Sequence, residues 1–204
     1  MSPVYRAVPF LEATSWHRKI LGTLTMPISM PGATKQRPRM YDGVFRGKKA
    51  WTRDNIEKTD YLVKIPPDCQ AEIREFVQSI RENPLQTEIL SPHDYQLPRT
   101  KSLMKSVKGR LERGVGFTVL DRLSVRSFTK DELKSVYWIL SSLIARPVAQ
   151  SFSGTLLYDV LDTGKLKGPK VRADLTSAEL DFHTDYSYNE PPRYFGLQTL
   201  RTAK

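Results

Sequence analysis

His183 and Asp185 are the residues whose types and spacing could do chemistry. They stand in the segment Phe182-His183-Thr184-Asp185, where the pattern indicates the end of a strand. Side chains two positions apart in extended backbone point to the same side, so the imidazole nitrogen and the carboxylate oxygen can bind one cation together. With a second His from a distant strand they would form the facial triad that holds non-haem Fe(II). A surface His beside a capping or turn Asp also fits this short pattern when it is taken alone.

The surroundings of the pair favour the metal interpretation. Phe182-His183-Thr184-Asp185, followed by Pro191-Pro192 and then by residues 194–203, resembles the metal-binding segment of the taurine dioxygenase (TauD/TfdA-like) family. Upstream, residues 114–120 resemble the strand that opens the family's domain, and residues 129–145 resemble its long helix. Between that helix and the metal segment stand Gln150, Gly154 and Asp159. The resemblance covers about residues 51–204 and is strongest from residue 114 onward.

The resemblance implies a fold, a cofactor and a reaction. The fold is α+β, an incomplete double-stranded β-helix (jelly-roll, clavaminate synthase-like) with flanking helices. The activity is a hydroxylase-type dioxygenase reaction that uses Fe(II), 2-oxoglutarate and dioxygen on an unidentified small-molecule substrate and releases succinate and carbon dioxide. By the match, His183 and Asp185 are metal ligands, Thr184 supplies no ligand atom, and Asp181 is a residue at the strand edge.

The sequence departs from the family in the remaining ligands. No histidine follows His183, and Arg193 and Arg201 come too early to match the arginine that pairs with 2-oxoglutarate. His17 and His93 stand in loop-like sequence before the core. We therefore expect the third His ligand and the 2-oxoglutarate-binding Arg to be absent from this chain. Since an incomplete ligand set binds Fe(II) weakly, we expect an inactive fragment, or a non-catalytic relic of an oxygenase.

Three tyrosines near the pair are candidates for a substrate pocket. Tyr186, Tyr188 and Tyr194 combine aromatic walls with polar tips, as small-molecule sites commonly do. Packing in the core is the alternative for each of them.

The elements that must position these residues follow from hydrophobic spacing. The pattern predicts helices after Asp68, over residues 102–113 and from the capping box of Thr129 and Glu132. Short strands are predicted over 117–120, 155–161, 171–173, 180–183 and 194–200. Helices that precede strands suit an antiparallel β-core, and we expect the apolar stripe of the third helix to pack on a sheet.

Positive charge is concentrated at the start of the chain. Nine of the 32 Lys and Arg lie in residues 1–50 against Glu12 and Asp42, so +7 of the net +10 belongs there. We predict a basic, irregular N-terminal extension over 1–50, a helical lead-in over 51–113 and the first part of the oxygenase domain over 114–204, truncated after the His-Thr-Asp segment.

The basic extension leaves a second function class open, a nucleic-acid-binding module. Cations interleaved with aromatic side chains could contact phosphates and stack on bases, although no recognisable binding motif accompanies them. The residues in question are Lys35, Arg37, Arg39, Met40, Tyr41, Phe45, Arg46, Lys48, Lys49 and Trp51.

Composition limits the remaining possibilities. Cys69 is the single cysteine, so no intrachain disulfide can form, and we expect a reducing, cytoplasmic setting. The basic start of the chain also leaves a mitochondrial presequence open, whereas Glu12 interrupts the apolar patch that a secretory signal needs. No apolar run is long enough for a membrane span, and the sequence leaves the oligomeric state open.

Overall fold

The computed structural model describes the backbone of residues 4–6, and it describes residues 42–124, 126–151, 153–161, 163–164, 176 and 192–200. Its strands are β1 (Val4–Arg6), β2 (Leu62–Val63), β3 (Val119–Leu120), β4 (Tyr158–Val160) and β5 (Leu197–Thr199). Its α-helices are α1 (Lys58–Tyr61), α2 (Pro67–Glu82), α3 (Pro98–Arg113) and α4 (Lys130–Ser142), and a short 3-10 helix spans Thr87–Ile89.

Helix α2 forms where the sequence predicts it, but it begins earlier. Pro66 is the N-cap residue and Pro67 takes the first helical position, where the missing amide hydrogen costs nothing. The prediction of Asp68 as the cap is therefore wrong. Asp68 lies in the first turn, and its Oδ1 accepts a hydrogen bond from the amide of Cys69 at 2.9 Å.

Helix α3 begins four residues before the predicted range and ends where it was expected, with Gly114 as its C-cap residue. Its N-cap residue, Leu97, offers no side-chain acceptor to the first amides. Glu72 of α2 replaces it: Oε1 accepts from the amide of Arg99 at 2.8 Å, and Oε2 accepts from the amide of Thr100 at 2.7 Å. One helix thus caps its neighbour.

Helix α4 confirms the predicted capping box. The Thr129 hydroxyl accepts from the Glu132 amide at 3.3 Å, and Glu132 Oε2 accepts from the Thr129 amide at 2.8 Å. The expectation that its apolar stripe packs mainly on a sheet is wrong for the described residues. Val136 and Ile139 pack in one cluster with side chains of α2 and α3, because those helices present apolar faces of their own.

The hydrophobic core therefore lies between the three long helices. It includes Ile65, Cys69, Ile73, Phe76, Val77, Leu90, Leu97, Met104, Val107, Val136, Trp138, Ile139, Leu140 and Ile144. The indole of Trp138 donates to the carbonyl of Leu90 at 2.9 Å, which satisfies its polar atom and ties the 3-10 helix to α4. The predicted lead-in and the predicted oxygenase segment share this single core.

Two small sheets flank the helices. Strands β2 and β3 pair in parallel, with Leu62 opposite Val119. The prediction of a buried strand over 117–120 is only partly right, because the strand covers two residues and Val119 is 44% exposed. In the other sheet β1 lies between β4 and β5, antiparallel to both, so Tyr5 faces Asp159 on one side and Gln198 on the other.

The later strands are shorter than predicted. Strand β4 forms inside the predicted 155–161, and β5 forms inside the predicted 194–200. The predicted strands over 171–173 and 180–183 lie outside the described residues. The double-stranded β-helix stays a prediction for the same reason.

Candidate functional site

The structure describes one of the five site residues that the sequence singles out. His183, Asp185, Tyr186 and Tyr188 lie outside the described residues, and so do His17 and Arg201. Tyr194 is described, and it lies between the predicted metal segment and β5 in the chain.

Tyr194 makes a short contact with helix α3. Its hydroxyl donates to Glu112 Oε1 at 2.5 Å, and Arg193 Nη2 lies 3.4 Å from the same oxygen. The ring also packs against the hydrophobic core. Core packing, the alternative to a pocket wall, is thus observed for Tyr194, and a role in substrate contact stays a prediction.

The electrostatics around Glu112 favour its ionised form. The hydrogen bond from Tyr194 is the main cause that lowers the pKa of the Glu112 carboxyl, and the charges of Arg193, Lys108 and Arg113 act in the same direction. Partial burial opposes them. Two of these cations also approach the Tyr194 ring: the Arg193 guanidinium carbon is 5.5 Å and Lys108 Nζ is 5.9 Å from the ring centroid.

Gln150 and Gly154, which the resemblance singles out, form a tight turn before β4. The amide of Gln150 donates to the carbonyl of Thr155 at 2.8 Å, and its side-chain amide donates to the carbonyl of Leu156 at 3.4 Å. Gly154 has φ +82°, in the left-handed region that glycine adopts without strain. These residues shape the backbone that leads into β4.

Asp159, the third of them, lies on β4 and faces helix α4. Its Oδ2 lies 3.3 Å from Lys130 Nζ and 3.1 Å from Lys134 Nζ. The two lysines are four residues apart and so project from the same side of α4. Asp159 therefore connects the antiparallel sheet to the long helix. The two lysines neutralise its carboxylate, so its charge is balanced without a metal ion.

A cavity of about 390 Å³ lies between the segment around Trp51 and the C-terminal end of α3. Its lining is Gly47, Lys48, Ala50, Trp51, Asn55, Thr59, Asp60, Arg110, Gly114 and Val115. Arg110 Nη1 donates to the carbonyl of Thr59 at 2.9 Å, and the Trp51 indole donates to the carbonyl of Val115 at 2.9 Å. The two hydrogen bonds thus connect segments that line opposite sides of the cavity.

Of the basic extension, the structure describes the backbone of residues 4–6 and residues 42–50. Arg46, Lys48 and Lys49 are exposed there, as a phosphate-binding surface requires. The ring of Trp51, however, packs on Phe117 with 5.3 Å between centroids. Trp51 therefore attaches the segment to the stretch between α3 and β3, and nucleic-acid binding stays a hypothesis.

No other cation site is present in the described part of the chain. His93, the remaining alternative for a third ligand, is exposed in a loop, and its backbone amide donates to the Ser91 hydroxyl at 3.3 Å. Among the described residues no three His, Cys, Asp or Glu side chains come close enough to share a metal ion.

Among the described helices, none has the length and apolarity that crossing a bilayer requires.

Comparison with known proteins adds no relative. The chain matches none of the known protein families and none of the curated proteins with which it was compared.

The sequence did not predict the hydrogen bond between the Tyr194 hydroxyl and the Glu112 carboxylate. Glu112 sits among basic residues near the end of a predicted surface helix, which is the ordinary pattern of a solvated helix face. Its partner is 82 residues away. No local spacing in the sequence signals this contact.

Proposed function

We propose that the chain contributes His183 and Asp185 as two of the metal ligands of an Fe(II)- and 2-oxoglutarate-dependent dioxygenase. The observation that carries the proposal is the His-Thr-Asp segment in its setting, with Pro191-Pro192 and a strand-forming sequence after it. The donor set fits the metal, because one imidazole and one carboxylate are two of the three groups of the facial triad. When bound, Fe(II) with 2-oxoglutarate supplies the oxidising power for attack on a C–H bond.

The described elements support this proposal. The capped helix α4 and strand β5 occur where the resemblance expects a long helix and a strand. Strands β4 and β5 come before and after the metal segment in the chain, and both pair with β1. This pairing fixes the chain at residue 160 and again at residue 197, so the proposed ligands belong to a stretch that enters the sheet on both sides.

The test measures metal binding by the chain itself. Mn(II) is the probe, since it takes the same nitrogen and oxygen ligands as Fe(II) and its binding can be followed by electron paramagnetic resonance even when it is weak. We expect His183→Ala and Asp185→Ala each to weaken Mn(II) binding by about tenfold or more, because each removes a ligand.

The matched control is His93→Ala, which removes an exposed loop histidine and should leave the affinity unchanged. Equal Mn(II) binding by the wild type and His183→Ala would overturn the proposal. Any longer product of the gene that supplies a further His and Arg should consume 2-oxoglutarate with Fe(II), and His183→Ala should abolish that turnover.

A further inference from the structure

The cavity between the segment around Trp51 and the C-terminal end of α3 has the size of a small-molecule site. Its volume is about 390 Å³, and ligand pockets in proteins have roughly 300–1,000 Å³. Its walls combine an indole ring, two cationic side chains, a carboxylate, a side-chain amide and a hydroxyl. Such a set of groups suits a ligand that is charged at one end and flat at the other.

Two hydrogen bonds fix the walls of the cavity. Trp51 Nε1 donates to the carbonyl of Val115 at 2.9 Å. Arg110 Nη1 donates to the carbonyl of Thr59 at 2.9 Å. A site whose walls are already in place binds more tightly, because less conformational freedom is lost when the ligand enters.

A tight turn brings Lys48 to the cavity. The amide of Ala50 donates to the carbonyl of Gly47 at 3.0 Å, and Gly47 has φ +82°, which glycine adopts without strain. The stem of the next residue, Lys49, runs beside Gly116, since a Cβ added to that glycine would lie 3.9 Å from Lys49 Cγ. The turn thus lies against the stretch that follows α3, with Lys48 in the lining of the cavity.

The charges of the lining favour an anion. Lys48 and Arg110 supply two positive charges, and Asp60 supplies one negative charge. Arg110 uses one of its five N–H donors on the carbonyl of Thr59, so others can bind a phosphate oxygen. The C-terminal end of α3 carries a partial negative charge, which Arg110 and Arg113 in its last turn offset.

Trp51 and Asp60 narrow the class of anion. The Trp51 ring lines the cavity, and the residue is 43% exposed although the ring also contacts Phe117. A nucleobase can stack on such a ring. Asp60 Oδ2 accepts from the Glu57 amide at 2.9 Å. Its other oxygen can accept from a sugar hydroxyl, as acidic side chains do in dinucleotide sites.

We propose that this cavity binds a nucleoside monophosphate. The phosphate contacts Lys48 and Arg110. The base stacks on Trp51, and a hydroxyl of the sugar donates to Asp60. A polynucleotide offers the same groups, but a strand requires a groove that follows its backbone, whereas a cavity surrounds a single small ligand. The proposal does not rest on the proposed metal ligands.

Isothermal titration calorimetry of the full chain with adenosine monophosphate, adenosine and ribose 5-phosphate tests the role of each part of the ligand. We expect adenosine monophosphate to bind more tightly than either fragment by about fivefold or more, because each fragment lacks the base or the phosphate. No binding of adenosine monophosphate at millimolar concentration, or equal binding of it and ribose 5-phosphate, would overturn the proposal. Tighter binding of a single-stranded oligonucleotide would also overturn it, in favour of a nucleic-acid surface.

Lys48→Gln tests the location of the site. It should raise the Kd for adenosine monophosphate by about threefold to tenfold, because it removes a charged contact to the phosphate. Lys105→Gln is the matched control: Lys105 is exposed on α3 and does not line the cavity, so the Kd should change by less than about twofold. Both substitutions lie on the surface, and circular dichroism checks that both variants fold. Equal effects of the two would show a general influence of net charge and would contradict the proposed site.

Discussion

At the scale of single residues, Glu132 performs two tasks at once. Its carboxylate closes the capping box of α4 and also binds Arg81 of α2, with Nε to Oε1 at 2.7 Å and Nη2 to Oε2 at 3.1 Å. The sequence predicts the first task, because a T-x-x-E pattern is local. It does not reveal the second, because Arg81 is 51 residues away. Local polar contacts are accessible from sequence, and long-range partners require the fold.

Glu132 makes stability depend on pH. The hydrogen bond from Arg81 is the main cause that lowers the pKa of the Glu132 carboxyl, and the Thr129 amide adds to it. A carboxyl whose pKa is lower in the folded state stabilises the fold above its unfolded pKa of about 4.3 and loses that contribution as the pH falls through the folded value. Glu132→Gln should therefore lower the Tm at pH 7, by about 2–4 °C.

The difference in Tm between Glu132→Gln and the wild type should shrink as the pH falls below the ordinary range of a glutamate carboxyl, because the wild-type carboxyl then becomes protonated. Thermal unfolding followed by circular dichroism from pH 3 to pH 7 measures it. Glu88→Gln is the control and should follow the wild type throughout. A Tm difference that stays constant with pH would contradict the role of the charge.

At the scale of elements, the start of α3 shows where sequence reasoning stops. Leu97 has no capping oxygen, so Pro98, a residue suited to the first helical position, is the only local signal for the start of the helix. The cap comes from Glu72, whose spacing in the sequence assigns it only to the partly exposed side of α2.

The same limit of sequence reasoning applies to the candidate site. His183 and Asp185 are recognisable by type and spacing, whereas Glu112 becomes visible only when α3 and Tyr194 are brought together.

The cap from Glu72 should contribute measurably to stability. In Glu72→Gln one carboxylate oxygen becomes an NH2 group that faces a backbone donor, so either the Arg99 or the Thr100 amide loses its acceptor. We expect a loss of about 1–2 kcal/mol in the free energy of unfolding, the usual range for a lost N-cap. Urea denaturation measures this loss.

Glu75→Gln is the matched control, an exposed glutamate on the same helix. It should change the free energy of unfolding by no more than about 0.5 kcal/mol. An equal effect of the two substitutions would mean that the charge of α2, and not the cap, accounts for the loss.

At the scale of the whole molecule, hydrophobic spacing predicts that α4 has an apolar face but does not say what covers it. The face packs in one cluster with buried side chains of α2 and α3, because those amphipathic helices bury their own stripes there. The three-stranded sheet combines elements from opposite ends of the chain. Its central strand, β1, lies within the segment that the sequence assigns to an irregular extension, since three residues carry too little pattern to predict a strand.

That central position leads to a prediction about the sheet. Strands β4 and β5 each pair with β1, so the two are held together through residues 4–6. Tyr5→Pro removes a backbone donor from β1 and constrains its φ, which a central strand does not tolerate. Hydrogen–deuterium exchange of residues 158–160 and 197–199 should become faster by about tenfold or more, since losing one ladder bond and adding strain costs more than 1.4 kcal/mol.

Tyr5→Ala keeps the backbone donor and should have a smaller effect on this exchange. Amides of α2, α3 and α4 should keep their protection in both variants, because their core lies apart from this ladder. Unchanged exchange in β4 and β5 would show that they do not depend on β1, and the sheet would then have to be held by α4 through Asp159 and its two lysines.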